Sequence, residues 1–355
     1  MAILYSSHKF IHFPEQLRAL REQRVVAPIH IRIKPTNHCN HNCWYCAYKV
    51  DNLHLGEEMV ESDAIAPEKM HEIVTDILDM GVKAVTFSGG GEPLLYKPLP
   101  EVVERLAGGG VRVAVLTNGS NLKGKMADAF ARHGTWVRIS MDGWDDASYA
   151  TARSLRETDP FTRLMHNIEA FTARDTRCVL GVSFIVTEVN CDHLQEVCAR
   201  LKAAGVNHVK LSGVVVANDG AGNNEYHDRL RERVAGQIRA AMAQSDARFT
   251  VLDHYHELED RFDKAYTTCF YLQYLTVIGA DCGVYTCQDK AYRQSGLLGW
   301  IKERSFKAFW FSEENRQRIF SLNPAQECRH HCVTHGKNLA IQNIMAIDPE
   351  HGVFV

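Results

Sequence analysis

The sequence predicts an α/β protein: an open, partial barrel of six strand-helix units, followed by a small C-terminal domain held by ligated cysteines. Short apolar runs alternate with helix-patterned segments from residue 29 to 218, as in a parallel sheet wound by crossover helices. Six units are too few for a closed eight-stranded barrel, so the sheet should stay open, with functional loops gathered at the C-terminal strand ends. The cysteines are unevenly spread: Cys39, Cys43 and Cys46 early, Cys269, Cys282, Cys287, Cys328 and Cys332 late, and Cys178, Cys191 and Cys198 between.

The elements follow in order. IHIRIKP (29–35) reads as a strand, PEKMHEIVTDILDMG (67–81) as a helix stopped by Gly81, and VKAVTFSGG (82–90) as a strand running into glycines. LPEVVERLAGGG (99–110) is a helix, VRVAVLTNG (111–119) a strand, KMADAFARHG (125–134) a helix and TWVRISMDG (135–143) a strand. Helices over 161–175 and 193–205 alternate with strands over 178–187 and 206–215. Apolar spacing of three and four separates the helices from the strands. The polar stretch 217–230 breaks the pattern, a helix is expected over 226–244, and the segment from Cys269 onward reads as irregular. The expected division is an N-terminal extension (1–28), the barrel (29–218), a helical linker (219–265) and a cysteine-containing domain (266–355).

With 355 residues, 45% of them hydrophobic, the chain can bury a sizeable core. Forty Lys and Arg balance 43 Asp and Glu, without a block of like charge. That argues against nucleic acid or an anionic membrane as partner and for a small-molecule substrate. No segment reads as a signal peptide or a membrane span, which places the expected location in the cytoplasm. Eleven cysteines are many for a reducing compartment, so metal ligation is expected rather than disulfides. Cys178, Cys191 and Cys198 are read as core or surface thiols.

Cys39-Asn-His-Asn-Cys43-Trp-Tyr-Cys46 follows the first strand. Three thiolates on one loop can occupy three corners of a cubane cluster and leave the fourth iron open. The alternative is zinc, completed by His38 or His41. This C-x3-C-x2-C loop, with Tyr45 before its last cysteine, resembles the hallmark of the radical S-adenosylmethionine (SAM) superfamily. The resemblance implies a TIM-like partial (β/α)6 barrel and a four-iron four-sulfur cluster whose open iron is chelated by SAM. An electron from a reducing flavodoxin or ferredoxin would then release a 5'-deoxyadenosyl radical. The resemblance also implies cofactor contacts: Gly90, Gly91 and Glu92 along the amino group, Asn118, Ser140 and Asp142 toward ribose and carboxylate, and Arg153 pairing with the carboxylate. Arg156 competes for that last role. The strand from Gly181 to Glu188 resembles the adenine-contacting strand but lacks its second glycine.

Cys269, Cys287, Cys328 and Cys332 form two distant pairs able to saturate a second cluster. Together with Asp281-Cys282-Gly283-Val284-Tyr285-Thr286-Cys287, they resemble the SPASM and twitch appendages of the superfamily, and the shorter one-cluster twitch form fits better. Zinc in the same four thiols is the alternative. A saturated cluster would transfer electrons. Cys282 is left as a fifth ligand, an inert neighbour or a catalytic hydrogen-atom donor.

The expected function is hydrogen abstraction from a small polar substrate, a sugar, aminocyclitol or nucleotide sugar, ending in dehydrogenation or epimerisation. For dehydrogenation the base would come from groups such as Asp142, His254 or His256. Peptide modification ranks second, because the first 28 residues are too short for a leader-binding domain. A non-catalytic iron-sulfur or zinc scaffold is the alternative of another class.

Overall fold

The computed structural model describes residues 5–50, 53, 56–257, 261–348 and 350–354. Its centre is one open ten-stranded sheet, in the order β10-β9-β8-β1-β2-β3-β4-β5-β6-β7. The strands are β1 His30–Ile33, β2 Ala84–Phe87, β3 Arg112–Thr117, β4 Gly134–Met141, β5 Val179–Val186, β6 His208–Gly213, β7 Thr250–Asp253, β8 Leu275–Ile278, β9 Gly283–Tyr285 and β10 Leu297–Trp300. From β8 through β1 to β7 every neighbouring pair is parallel, and β9 and β10 finish the edge antiparallel. Helices Pro67–Asp79, Leu99–Gly108, Gly124–His133, Pro160–Thr172 and Leu194–Ala203 cross between the successive parallel strands.

Side-chain parity decides how the sheet is used, since successive strand residues point to opposite faces. Ile31, Ile33, Val85, Phe87, Val113, Val115, Val137, Ile139, Val182, Phe184, Val209 and Leu211 are fully buried in one core cluster with the helix residues Ile73, Val103, Phe130, Ile168 and Leu201. The alternate positions are different in kind. Arg32, Lys34, Thr86, Ser88, Arg138, Ser140, Ser183, His208, Lys210 and Ser212 make the other face, the inside of the partial barrel, strongly polar.

Three differences from the sequence reading concern short or two-faced elements. The polar stretch 217–230 contains the helix Gly220–Asp228, started by Asp219, whose side chain accepts from the Gly222 amide, and the next helix runs Arg231–Met242. Helix Asp146–Arg153, between β4 and the next crossover helix, was missed; a capping box between Asp145 and Ser148 starts it, and Ser154 in the left-handed region ends it. The segment after Cys269 is less irregular than expected, because β8 pairs with β1 in the same sheet and Cys269 and Cys287 flank the β8-β9 hairpin. All four β8 residues are buried, so no alternation betrays the strand.

The C-terminal segment is fastened to the barrel through Trp310, fully buried with its indole N–H donating to the Val26 carbonyl at 2.8 Å. Removing that ring empties a large site and orphans a carbonyl. We expect Trp310→Ala to lower unfolding free energy by about 3–5 kcal/mol in urea denaturation. A loss below about 1 kcal/mol would show that the C-terminal segment docks by other contacts.

Candidate metal and cofactor site

The loop bearing Cys39, Cys43 and Cys46 leaves the C-terminal end of β1 and is pinned on both sides. Asn37 N–H donates to Asp63 (2.9 Å), Asn42 N–H to the Arg153 carbonyl (3.0 Å), and Cys46 N–H to Cys43 (3.1 Å). All three thiols are half-buried, while the neighbouring Trp44 is 48% exposed. Burial pushes the Cys39 thiol up to about 11, helped by the nearby charges of Glu92 and Cys43. Burial, with Asp142 and Cys46 close by, also raises the Cys43 thiol against the lowering pull of Arg153. Cys39 and Cys43 resist ionising unless a cation takes their charge, and with Cys46 beside them the donor set suits a thiolate-ligated metal. His41 is buried and lowered to about 3 by burial and by Arg153.

The Gly89-Gly90-Gly91 run ends β2 and packs directly on the start of this loop. A Cβ at Gly91 would lie 2.0 Å from the His38 carbonyl oxygen, and one at Gly90 2.1 Å from Asn37 Oδ1. Only glycine permits that approach. Glu92, next in line, is buried at 2% exposure. Its Oε1 accepts from Leu94 N–H (3.0 Å) and Thr117 Oγ1 (2.5 Å), and its Oε2 from Asn118 N–H (2.7 Å). Burial still raises its pKa against those bonds. A carboxylate has about four acceptor sites, so Oε2 retains capacity for one more donor. Asn118 in turn donates to Asn40 Oδ1 at 2.9 Å, which joins the end of β3 to the thiol loop.

At the end of β4 lies a buried ion pair. Arg153 Nε donates to Asp142 Oδ1 at 2.9 Å, with the two side chains only 2% and 1% exposed. Arg153 Nη2 donates to the Ser140 carbonyl (2.8 Å) and reaches Ser140 Oγ (3.3 Å) and Tyr45 Oη (3.4 Å). Nη1 meets His41 Nδ1 at 3.3 Å, the guanidinium stacks over Tyr149, and Tyr45 Oη donates to Asp142 Oδ2. Tyr45, Ser140, Asp142 and Arg153 are thus one cluster with the thiol loop, and Arg156 is exposed outside it.

The later thiols also converge. Burial is the leading cause that raises Cys269, Cys287, Cys328 and Cys332; Cys332 and Cys328 add to it at Cys269 and Cys287, Cys332 at Cys328, and Asp289 at Cys287 and Cys332, and Cys269 is pushed up to about 12. Lys264, buried and donating to the Phe262 carbonyl (2.5 Å) and the His330 carbonyl, supplies positive charge beside Cys332 and Cys328. Two residues the sequence reading did not assign join this group. Cys287 Sγ, an Asp289 oxygen and a His330 nitrogen all lie within 4.8 Å of one another. The spacing Cys287-x-Asp289 and the His330 between Cys328 and Cys332 were the available signals.

Lys34 was also missed. Fully buried, it donates to Tyr48 Oη (2.7 Å) and the Gly89 carbonyl (2.6 Å), and lies over the Tyr48 ring. Burial lowers it to about 7, although Asp289, Cys46 and Cys287 pull the other way, so it sits between the two thiol groups. Cys282 is not gathered with either group. It occupies a left-handed turn position (φ 63°) within the apolar core cluster, near Lys69, Lys302 and Asp63. Cys178, Cys191 and Cys198 are buried in the same core. His254 and His256 hold Glu257 (2.8 Å) and Asp253 (2.6 Å).

Because Asp142 and Arg153 are both desolvated, removing one charge leaves the other stranded. We expect Asp142→Asn to cost about 3–5 kcal/mol of stability by urea unfolding, and Arg153→Met added to it to recover part of the loss. Additive losses in that double-mutant cycle would show the pair to be uncoupled.

Known proteins now bear on the site. Residues 33–190 match the Radical SAM superfamily. A probable GTP 3',8-cyclase of Metallosphaera sedula is 22% identical over 206 residues, 57% of this chain and 61% of that protein. An S-adenosylmethionine-dependent nucleotide dehydratase of Lacinutrix mariniflava is 26% identical over 170 residues, 46% of this chain and 34% of that protein. The chain therefore spans between about a third and three fifths of the length of these relatives. The structure of Streptococcus suis SuiB bound to precursor peptide SuiA superposes with a TM-score of 0.63 at 15% identity, over 94% of this chain and 78% of SuiB, and shares the fold. The thiol loop, the glycine run and strands β2 to β5 thus lie within the matched segment, and residues 33–190 of this chain are a radical SAM superfamily domain.

Proposed function

We propose that the chain is a radical SAM enzyme that takes a hydrogen atom from a small polar substrate lying inside the partial barrel, leading to dehydrogenation or epimerisation. The observation that supports this best is the meeting of the Cys39–Cys46 loop with two buried polar constellations, Glu92-Thr117-Asn118 and Tyr45-Asp142-Arg153, at the C-terminal strand ends. In this reading Cys39, Cys43 and Cys46 hold a four-iron cluster, and Gly90, Gly91, Glu92, Asn118, Ser140 and Asp142 line the cofactor. The bound group would supply reductive cleavage of SAM and a carbon radical able to abstract hydrogen.

The protein's own residues do the rest. Glu92 Oε2 would accept from the SAM amino group. Tyr45, His41 and Ser140 hold Arg153 and Asp142 rigid beside the loop, which fixes where the substrate hydrogen must lie. Lys34 Nζ, buried between the two thiol groups, is the amine we assign to take the substrate hydroxyl proton in dehydrogenation. Cys269, Cys287, Cys328 and Cys332 would hold a second cluster for the departing electron. The names of the two relatives, which act on nucleotides, and the polar inner face together favour a small polar substrate over a peptide.

Two experiments test this. Protein reconstituted anaerobically with iron and sulfide, then given SAM and dithionite, should form 5'-deoxyadenosine, and Cys43→Ala should abolish it; undiminished product in the variant would remove the assignment, and a scaffold protein would form none. Iron analysis should give roughly eight irons per chain, falling to about four when Cys328 and Cys332 are both replaced by Ala. Zinc retained at that second site would defeat the electron-transfer role.

A further inference from the structure

The inner face of the barrel carries more positive charge than the thiols can use. Lys34 has Cys46 and Cys287 nearby, and Lys264 has Cys332 and Cys328. Arg32, Arg138 and Lys210 have no such partners. They stand on β1, β4 and β6 at positions alternating with the core residues Ile31, Ile33, Val137, Ile139, Val209 and Leu211, so all three enter the same interior.

Their surroundings are short of anions. The charged groups facing Arg32 include Arg138, Lys34, Lys210, Lys337 and Asp289, and those facing Lys210 include Arg138, Arg261, Arg32 and Glu257. Glu257 is already taken by His254 (2.8 Å) and Arg261 (2.5 Å). Among the described residues, Arg138 reaches the Tyr5 hydroxyl (3.2 Å) and the Trp136 ring. Among the described residues none of the three has a carboxylate within ion-pair distance. Burial and like-charged neighbours lower both Arg32 and Lys210, Lys210 to about 7.

Unused donors collect in the same place. Arg32 Nε, Arg138 Nε, His208 Nδ1 and Ser212 Oγ are buried atoms with no hydrogen-bond partner. The register aligns Arg138, Gly181 and His208 in one row, and Ser140, Ser183 and Lys210 in the next. Gly181 lets the His208 ring lie across that row, since a Cβ there would lie 2.2 Å from the ring. Converging cations and orphaned donors are costly unless an anion completes them.

We propose that Arg32, Arg138 and Lys210, with the hydroxyl of Ser212 and the ring of His208, bind the phosphate oxygens of a phosphorylated substrate, a phosphate ester or nucleotide. A single carboxylate is satisfied by one arginine fork. Cations from three strands plus separate N–H and O–H donors suit the several oxygens and higher charge of a phosphoryl group. The inference rests on the reading that the substrate lies inside this barrel, and it narrows the polar substrate to an anionic one.

The test is calorimetric titration of the anaerobically reconstituted protein with inorganic pyrophosphate, and with glucuronate as the carboxylate arm. Wild type should bind pyrophosphate in preference to glucuronate, with affinity falling as salt rises. Arg138→Gln and Lys210→Gln should each weaken pyrophosphate at least about tenfold, and Arg138→Lys less, with unchanged melting temperatures confirming the fold. If Arg138→Gln does not fold, Lys210→Gln carries the comparison. Equal affinity in the folded variants, preference for glucuronate, or no pyrophosphate binding would overturn the proposal. Cys43→Ala should bind pyrophosphate like wild type, so loss of SAM cleavage and loss of the phosphate site are read separately.

Discussion

Much of this structure depends on one buried guanidinium. Arg153 closes a short helix, yet its donors reach the end of β4 at Asp142 and Ser140 and the thiol loop at Tyr45 and His41. Its own carbonyl accepts from Asn42 inside that loop. A desolvated cation tolerates few geometries, because each unsatisfied donor costs on the order of 1–3 kcal/mol or more. The pair therefore fixes the loop after β1 against a strand three places away in the sheet. Asp142 in turn accepts from Tyr45, so the residue before the last cysteine of the loop belongs to the same network.

The thiol groups show the opposite electrostatic situation. Seven cysteines are brought into two neighbourhoods, and at Cys39, Cys43, Cys269, Cys287, Cys328 and Cys332 burial opposes ionisation. Such sites are unfavourable as bare thiolates, and a metal that accepted their charge, as proposed, would link folding of the C-terminal segment to ligation. That segment does not stand apart from the barrel: β8 lies parallel to β1, so the later thiols flank a hairpin of the same sheet that carries the earlier ones.

What could be read from the sequence follows from how local each signal is. The crossover helices and β3 to β6 were legible because each has enough residues to show its period, and β1 and β2, four residues each, were legible from their regular alternation with those helices. Helix Asp146–Arg153 was not, having eight residues and little apolar patterning; its signal was the cap, Asp145 with Ser148 three residues on. Strand β8 is buried at every position and follows no crossover helix, so neither alternation nor a preceding crossover helix marked it. At the site, the cysteine spacing is chemistry in itself. The partners of Glu92 and Arg153 lie on other strands and are set by register, which no local pattern encodes.

The parity of the strands was the larger signal left unread. Parallel strands buried on both faces should be apolar at every position, yet β1 carries Arg32 and is followed at once by Lys34, and β6 carries His208 and Lys210, all beside valines, leucines and isoleucines. Covering the outer face with helices accounts for every second residue only. A charged residue at the remaining positions has no stabilising role to perform there, since desolvating it is costly and the nearest neighbours carry the same sign. Such residues persist where something else meets their charge. On β1 the meeting groups are thiols and Asp289; on β4 and β6, among the described residues, only Glu257 faces Lys210 and it is held by His254 and Arg261, so the proposed anionic guest would complete the inner face.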